Sequence, residues 1–313
     1  MSPRLPPPYH LRTNKMIERQ LFVELLHLLD NRLGTRIRDH TYVGLGGPYL
    51  EDFHLIHALF GTSNMISLEI DGSVVTRQRI NCPNSAVTLT SRSTTDFVET
   101  FVFNENPLIV WFDYTTAAWA EQISECCKLL QKLPALSLFK VTLSGAGDKK
   151  AALEKLRTNF ASFGQFDETD VYRDNIYKTL YSLLRQAIAQ AIPDSEELCV
   201  RSLASYNYDE GTPILTVTMI VGPLDTIESI VNEALAAWRF ADINWKGPKQ
   251  IGVPNFGIRE RLAIDQLLPA SNAQEILDQL KLQLAPTHPE SLRQMESYLE
   301  FYRQVPQFLR VSL

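Results

Sequence analysis

No apolar run in this sequence approaches the ~20 residues that a membrane-spanning helix needs, so no membrane partner is expected. Cysteine is scarce. Cys82, Cys126, Cys127 and Cys199 are the only four in 313 residues, and they show neither metal-ligand spacing nor a disulfide framework. That usage fits a reducing compartment. Adjacent Cys126 and Cys127 fall in a helical pattern and read as small buried apolar residues. There is no excess of positive charge either: 30 Lys and Arg stand against 36 Asp and Glu, a net −6. Such a balance gives no general attraction for nucleic acid and leaves a local basic groove as the one route to it. Internal repeats and low-complexity segments are also lacking. The opening Met1-Ser-Pro-Arg-Leu-Pro-Pro-Pro-Tyr9 has no apolar signal core, and the expectation is a cytoplasmic protein.

What is present is an ordinary globular composition, 45% hydrophobic. The length suits one large α/β domain, alone or with an appendage. After the proline-rich start, Met16–Leu29 is an amphipathic helical pattern. Strand patterns follow at 41–43, 65–70, 86–89, 107–112 and 137–143, separated by helical patterns at 48–60, 73–79 and 117–133. The run Pro107-Leu-Ile-Val-Trp-Phe112 is almost wholly apolar, as a central parallel strand buried on both faces must be. Strand alternating with helix predicts a mainly parallel, doubly wound sheet. Helical patterns at 149–163 and 175–191 lead to two strands, 198–206 and 214–221, whose short link permits only an antiparallel hairpin. Beyond Gly222-Pro223 the pattern turns helical at 226–240, 258–268, 273–284 and 289–303, and 245–256 reads as an irregular link. Three segments result: an N-terminal arm and helix (1–34), the sheet body (35–222) and a helical appendage (223–313) packed on it.

The informative stretch is Thr41-Tyr-Val-Gly-Leu-Gly-Gly-Pro-Tyr-Leu50, a short strand running into a glycine turn with Pro48 near the start of the next helix. The next strand pattern reaches an acid, Glu69, 22 residues after Gly47. Glycines at a strand-to-helix turn let a ligand approach the backbone, and a carboxylate at the tip of the following strand can accept both hydroxyls of a ribose. The layout is that of a site for a nucleoside-containing cofactor. Alternatives accompany each residue. The glycines also suit an ordinary tight turn, and Glu69 also suits a solvated strand end. Asp71 suits a helix cap.

Four motifs in this order, Gly44-Leu-Gly46-Gly47, Leu68-Glu69-Ile70-Asp71, Thr95-Asp96-Phe97 and Trp111-Phe112-Asp113-Tyr114, together with the closing hairpin, resemble the class I S-adenosylmethionine-dependent methyltransferases over residues 35–222. The segments His10–Lys15 and Arg259–Leu268 resemble a narrower group of O-methyltransferases. The resemblance implies a Rossmann-like, seven-stranded sheet, parallel apart from one antiparallel strand. It implies S-adenosyl-L-methionine as cofactor, with Gly44, Gly46 and Gly47 along the methionine portion, Glu69 at the ribose, Asp96 at the adenine amino group with Phe97 beside the ring, and Pro48 and Ile70 as further cofactor-binding residues. Asp96 equally suits a cap for the helix that follows it. Asp113 and Tyr114, at the end of the central strand, become the candidate catalytic residues beside the methyl group, with Asp113 also able to hold the cofactor amine. Asp113 as a helix cap and Tyr114 as a packed aromatic are the competing readings. The Asn/Asp-Pro-Pro-Tyr pattern of many amino-group methyltransferases is absent, which counts against DNA bases, protein glutamine and RNA adenine as acceptors.

The acceptor itself is not identified. Glu51, Asp52, His54 and His57 share two turns of one helix, but no third ligand is evident elsewhere and no metal is expected. His10, Arg12 and Lys15 form a small basic cluster, and Arg259 and Arg261 read as solvated charges. Two other functions remain open. A nicotinamide-dependent oxidoreductase would place its third glycine on Tyr49 and lack the closing hairpin. A non-catalytic module would keep the cofactor or partner site without turnover.

Overall fold

The computed structural model describes residues 12–145, 148–172, 175–209 and 211–306. The proline-rich start and His10 lie outside the described residues. By packing, the chain divides into two compact units. The larger comprises Val23–Asn207 and Gly211–Lys249; the smaller takes residues up to Phe22, 208–210 and those from Gln250 onward.

The elements in chain order are α1 (Thr13–Leu29), β1 (Thr41–Gly44), α2 (Glu51–Phe60), β2 (Met65–Leu68), α3 (Gly72–Asn81), β3 (Val87–Thr90) and α4 (Thr94–Thr100). They continue with β4 (Leu108–Asp113), α5 (Trp119–Leu130), β5 (Ser137–Ser144), α6 (Lys149–Asn159), α7 (Ile176–Ala191), β6 (Cys199–Asp209), β7 (Pro213–Gly222) and α8 (Leu224–Ala234). The last are β8 (Lys249–Gln250), α9 (Ile258–Asp265), α10 (Ala273–Leu280) and α11 (His288–Phe301).

The strands form one sheet in the order β3-β2-β1-β4-β5-β7-β6-β8. Strands β1 to β5 pair in parallel, and β7 lies antiparallel to β5 over eight residue pairs. The α/β architecture with a closing antiparallel hairpin is therefore as the sequence indicates. The strand count is eight rather than seven. The extra strand is the two-residue β8, which sits in the segment read as an irregular link; two residues between Gly247-Pro248 and Pro254 leave no alternation to detect.

Every residue of β4 is buried, the expected consequence of parallel neighbours on both sides and helices on both faces. On one face Val43, Val110, Phe112, Phe139 and Val141 pack with Trp119 and Ile123 of α5 and Leu180 and Leu184 of α7. On the other, the Tyr42 ring meets Phe53 of α2 edge-on at 5.0 Å. Helix α2 begins at Glu51, three residues later than proline at a first turn suggests, because Gly47 (φ 52°) and Leu50 (φ 53°) are both left-handed and bar a helix there. Cys126 and Cys127 are buried free thiols inside α5, and burial pushes the Cys127 thiol up to about 11.

In the smaller unit, Asn14 Oδ1 accepts the Val253 amide at 3.0 Å, and Tyr298 donates to Asp265 at 2.6 Å. Arg261 is not the solvated charge its sequence context suggests. Its guanidinium donates to the carbonyls of Val305 and Pro306, satisfying acceptors that would otherwise face a half-buried surface.

Candidate functional site

The chain steps outward from β1 to β2 to β3, then returns to place β4 on the other side of β1. The sheet therefore has its topological switch point between β1 and β4, and ligands in open α/β sheets bind outside the carboxyl ends of the strands at that crevice. Register places the candidate residues there. Gly44 pairs with Ser67 of β2 and with Trp111 of β4. Two residues further along each chain come Gly46, in the turn after β1, Glu69, just past the end of β2, and Asp113, the last residue of β4. The glycine turn and the two acids thus stand at the carboxyl ends of three adjacent strands.

The turn is shaped by packing as well as by torsion. A Cβ on Gly46 would lie 2.3 Å from Leu50 Cδ2 and 2.8 Å from Phe53 Cε2, so only glycine lets α2 close against the turn. Three side chains of α3 hold the next residues. Gln78 Nε2 donates to the Gly47 carbonyl and Asn81 Nδ2 to the Pro48 carbonyl, each at 2.8 Å. The Arg77 guanidinium donates to the Tyr49 hydroxyl at 3.1 Å and lies 5.0 Å from that ring's centre. Sequence reasoning passed over these three. Their signal was present: polar residues at i, i+1 and i+4 along the inner side of a helix in which only Val75 and Gln78 are buried.

Glu69 is half-buried, and its Oε1 accepts the Asp71 amide at 2.9 Å. Ile70 is 73% exposed, an apolar side chain standing in solvent beside a carboxylate. Asp71 caps α3 by accepting from the Ser73 amide and hydroxyl, the hydroxyl bond foremost in holding its carboxyl below the ordinary range.

Asp96 is exposed and sits in a capping box, its carboxylate accepting the Ser93 amide at 3.3 Å while its own amide donates to Ser93 Oγ at 2.9 Å. The Ser93 hydroxyl is the main cause of its lowered pKa. Phe97, expected beside the adenine ring, is a core residue in this structure. It is 1% exposed and packs against Phe101, Phe103 and Phe112, with centroid distances of 4.6, 5.8 and 6.5 Å.

Asp113 ends β4 and Tyr114 follows it directly, so that the two side chains, adjacent in extended backbone, face opposite sides of the sheet. Asp113 is buried at 8% exposure and pairs with Thr142 of β5. Its side shares the face of Trp111, over whose ring Lys140 Nζ sits 3.5 Å from the centroid. Lys140 is 1% exposed; the one charged residue in β5, flanked by Phe139 and Val141, was the available hint of that polar patch. Tyr114 stands on the α5 face. Its hydroxyl donates to Glu125 Oε2, and its ring meets Phe112 at 5.8 Å. Burial, reinforced by nearby Cys126 and Glu125, pushes its pKa well above the ordinary tyrosine value.

Of the conceivable metal ligands on α2, His57 uses Nδ1 on the Thr62 carbonyl at 2.9 Å. Among the described residues no group of three or more His, Cys, Asp or Glu side chains is arranged to hold a metal ion. Nor is any helix among them long and apolar enough to cross a membrane.

No curated protein matches the sequence. Among solved structures, an rRNA methylase from Streptococcus thermophilus is similar at 12% identity and a TM-score of 0.36, over 64% of this chain and 93% of that one. The Methanococcus jannaschii fibrillarin pre-rRNA processing protein is similar at 8% identity and a TM-score of 0.36, over 60% of this chain and 68% of that one. A family model described as "Putative O-methyltransferase" matches residues 7–313, nearly the whole length, and the chain belongs to that family.

Proposed function

We propose that the protein transfers a methyl group from S-adenosylmethionine, held across the carboxyl ends of β1, β2 and β4, to an acceptor whose identity is open. The observation that carries this reading is that the glycine turn, Glu69 and Asp113 stand at the carboxyl ends of β1, β2 and β4, on both sides of the switch point. The residues fit such a cofactor. The half-buried carboxylate of Glu69 has one oxygen on its own loop and the other available to a ribose diol. Ile70 offers an exposed apolar surface where a purine would lie. The turn 44–47 brings bare backbone toward the aminoacyl end. Asp96 stands one strand further out, within its capping box.

When bound, the cofactor supplies an electrophilic methyl group on a cationic sulfur. The protein's part is alignment, exclusion of water and electrostatics. Asp113, buried at the end of the central strand, provides negative charge at the transfer centre and can accept a proton from a hydroxyl acceptor. Its burial makes that charge count for more than it would in water. Tyr114, turned to the other face, forms wall rather than reactive group.

Isothermal titration calorimetry tests the cofactor. Saturable binding of S-adenosylhomocysteine is expected, and Glu69→Ala weakens it by about 1–3 kcal/mol, the loss of hydrogen bonds to a charged acceptor. Tight binding of NAD with no response to either sulfur ligand overturns the reading.

A further inference from the structure

Resting on that cofactor reading, we propose that α3 is a positioning element for the cofactor's aminoacyl end, with Gln78 at its centre and Asn81 and Arg77 beside it. Three consecutive residues of the glycine turn, Gly47, Pro48 and Tyr49, are each gripped by this one helix. The turn needs outside support. It holds two left-handed residues, Gly47 and Leu50, and the 3.0 Å bond from the Leu50 amide to the Gly46 carbonyl closes it.

Peptide planarity converts the grip into ligand geometry. A trans peptide points its N–H opposite to its C=O, so pinning the Pro48 carbonyl on Asn81 aims the Tyr49 amide away from α3. Pinning the Gly47 carbonyl on Gln78 fixes the preceding plane; its nitrogen belongs to Pro48 and carries no N–H, so Gln78 acts by setting where the Pro48–Tyr49 plane starts. The Tyr49 amide, held in a fixed direction just ahead of α2, is of the kind of group that receives a carboxylate.

Gln78 itself argues for this role. It is 0% exposed, and among the described residues its Oε1 has no hydrogen-bond partner. A buried amide oxygen without a donor is destabilising, and an apolar side chain of the same length would fill the space without that penalty. What the amide adds is the bond from Nε2 to the turn.

The same helix reaches the other half of the site. It starts at Gly72, is capped by Asp71, and is tied through the Asp71 amide to the Glu69 carboxylate. The ribose acid and the aminoacyl turn are therefore mounted at the two ends of one rigid element, which fixes the spacing between them.

The test uses the full chain with two ligands: S-adenosylhomocysteine, and 5′-methylthioadenosine, which keeps the nucleoside and sulfur but lacks the aminoacyl group. Gln78→Met and Asn81→Ala are each expected to weaken S-adenosylhomocysteine about tenfold, the effect of one misplaced charged hydrogen bond. Methylthioadenosine affinity should stay within about twofold of wild type, and the melting temperature of Gln78→Met should be unchanged. Equal losses for both ligands, or unaltered S-adenosylhomocysteine binding in both variants, overturn the proposal while leaving the cofactor reading intact. A wild-type protein that binds neither ligand overturns the cofactor reading and this proposal with it.

Discussion

Gly46→Ala separates a glycine kept for packing from one kept only for a ligand. Gly46 is not among the left-handed glycines, so alanine is allowed by its backbone torsion and the issue is space. The new methyl would stand 2.3 Å from Leu50 Cδ2 and 2.8 and 3.1 Å from two atoms of the Phe53 ring. Ordinary carbon contacts are about 3.5–4.0 Å. Neither neighbour retreats easily: both are 0% exposed, Leu50 holds a left-handed backbone at the start of α2, and Phe53 is braced edge-on by Tyr42. Overpacking of this kind costs about 1–3 kcal/mol. The reduced freedom of the unfolded chain returns about 0.4–1 kcal/mol, leaving a net loss of about 1–2 kcal/mol. For a chain of this length that corresponds to a melting temperature lower by about 2–5 °C. Thermal melts by circular dichroism and urea midpoints with an unchanged m-value measure it. Leu50→Ala opens the space, so the double variant should lose about 0.5 kcal/mol or more less than the sum of the singles. A Gly46→Ala protein that melts at or above wild type, or strictly additive singles, refutes the packing argument.

Two further outcomes follow from the site and its foundation. His40 is fully buried; its Nδ1–H donates to the Arg36 carbonyl at 2.9 Å, and among the described residues Nε2 has no partner. Burial lowers its pKa below 6.5, so the unfolded chain takes up the proton first. The stability this neutral ring contributes is complete above pH 6.5 and is lost as pH falls from 6.5 through the folded pKa. Melting temperature should decline across that interval, and His40→Gln should flatten the decline; an unaltered slope counts against it. Asp113→Asn, assayed once an acceptor is found by screening, should bind S-adenosylhomocysteine within a few-fold of wild type and lose turnover by about a hundredfold or more. Wild-type turnover in that variant would remove Asp113 from the chemistry.

Local patterns carried the element types because period and punctuation are properties of neighbouring residues. The all-apolar Pro107–Phe112 run announced β4, the short link at 207–213 announced the hairpin, and Asp71 announced a cap that Ser73 completes. Where tertiary packing selects among local options, the sequence was silent. Phe97 follows an acid that suits a ligand, yet an aromatic cluster takes its ring into the core. Tyr114 adjoins Asp113 in sequence, yet strand alternation turns it to Glu125 on the opposite face.

The sequence by itself determined the order of strand and helix, the glycine turn with its downstream acids, and through them the family resemblance that the match over residues 7–313 bears out. Only the tertiary structure decided that the strands leading to Gly46, Glu69 and Asp113 lie side by side, since pairing joins strands far apart in the chain. It alone made Arg77, Gln78 and Asn81 the support of a turn about 30 residues earlier. Hydrogen bonds to backbone carbonyls have no residue preference on the accepting side, so nothing in the sequence of the turn records which helix holds it.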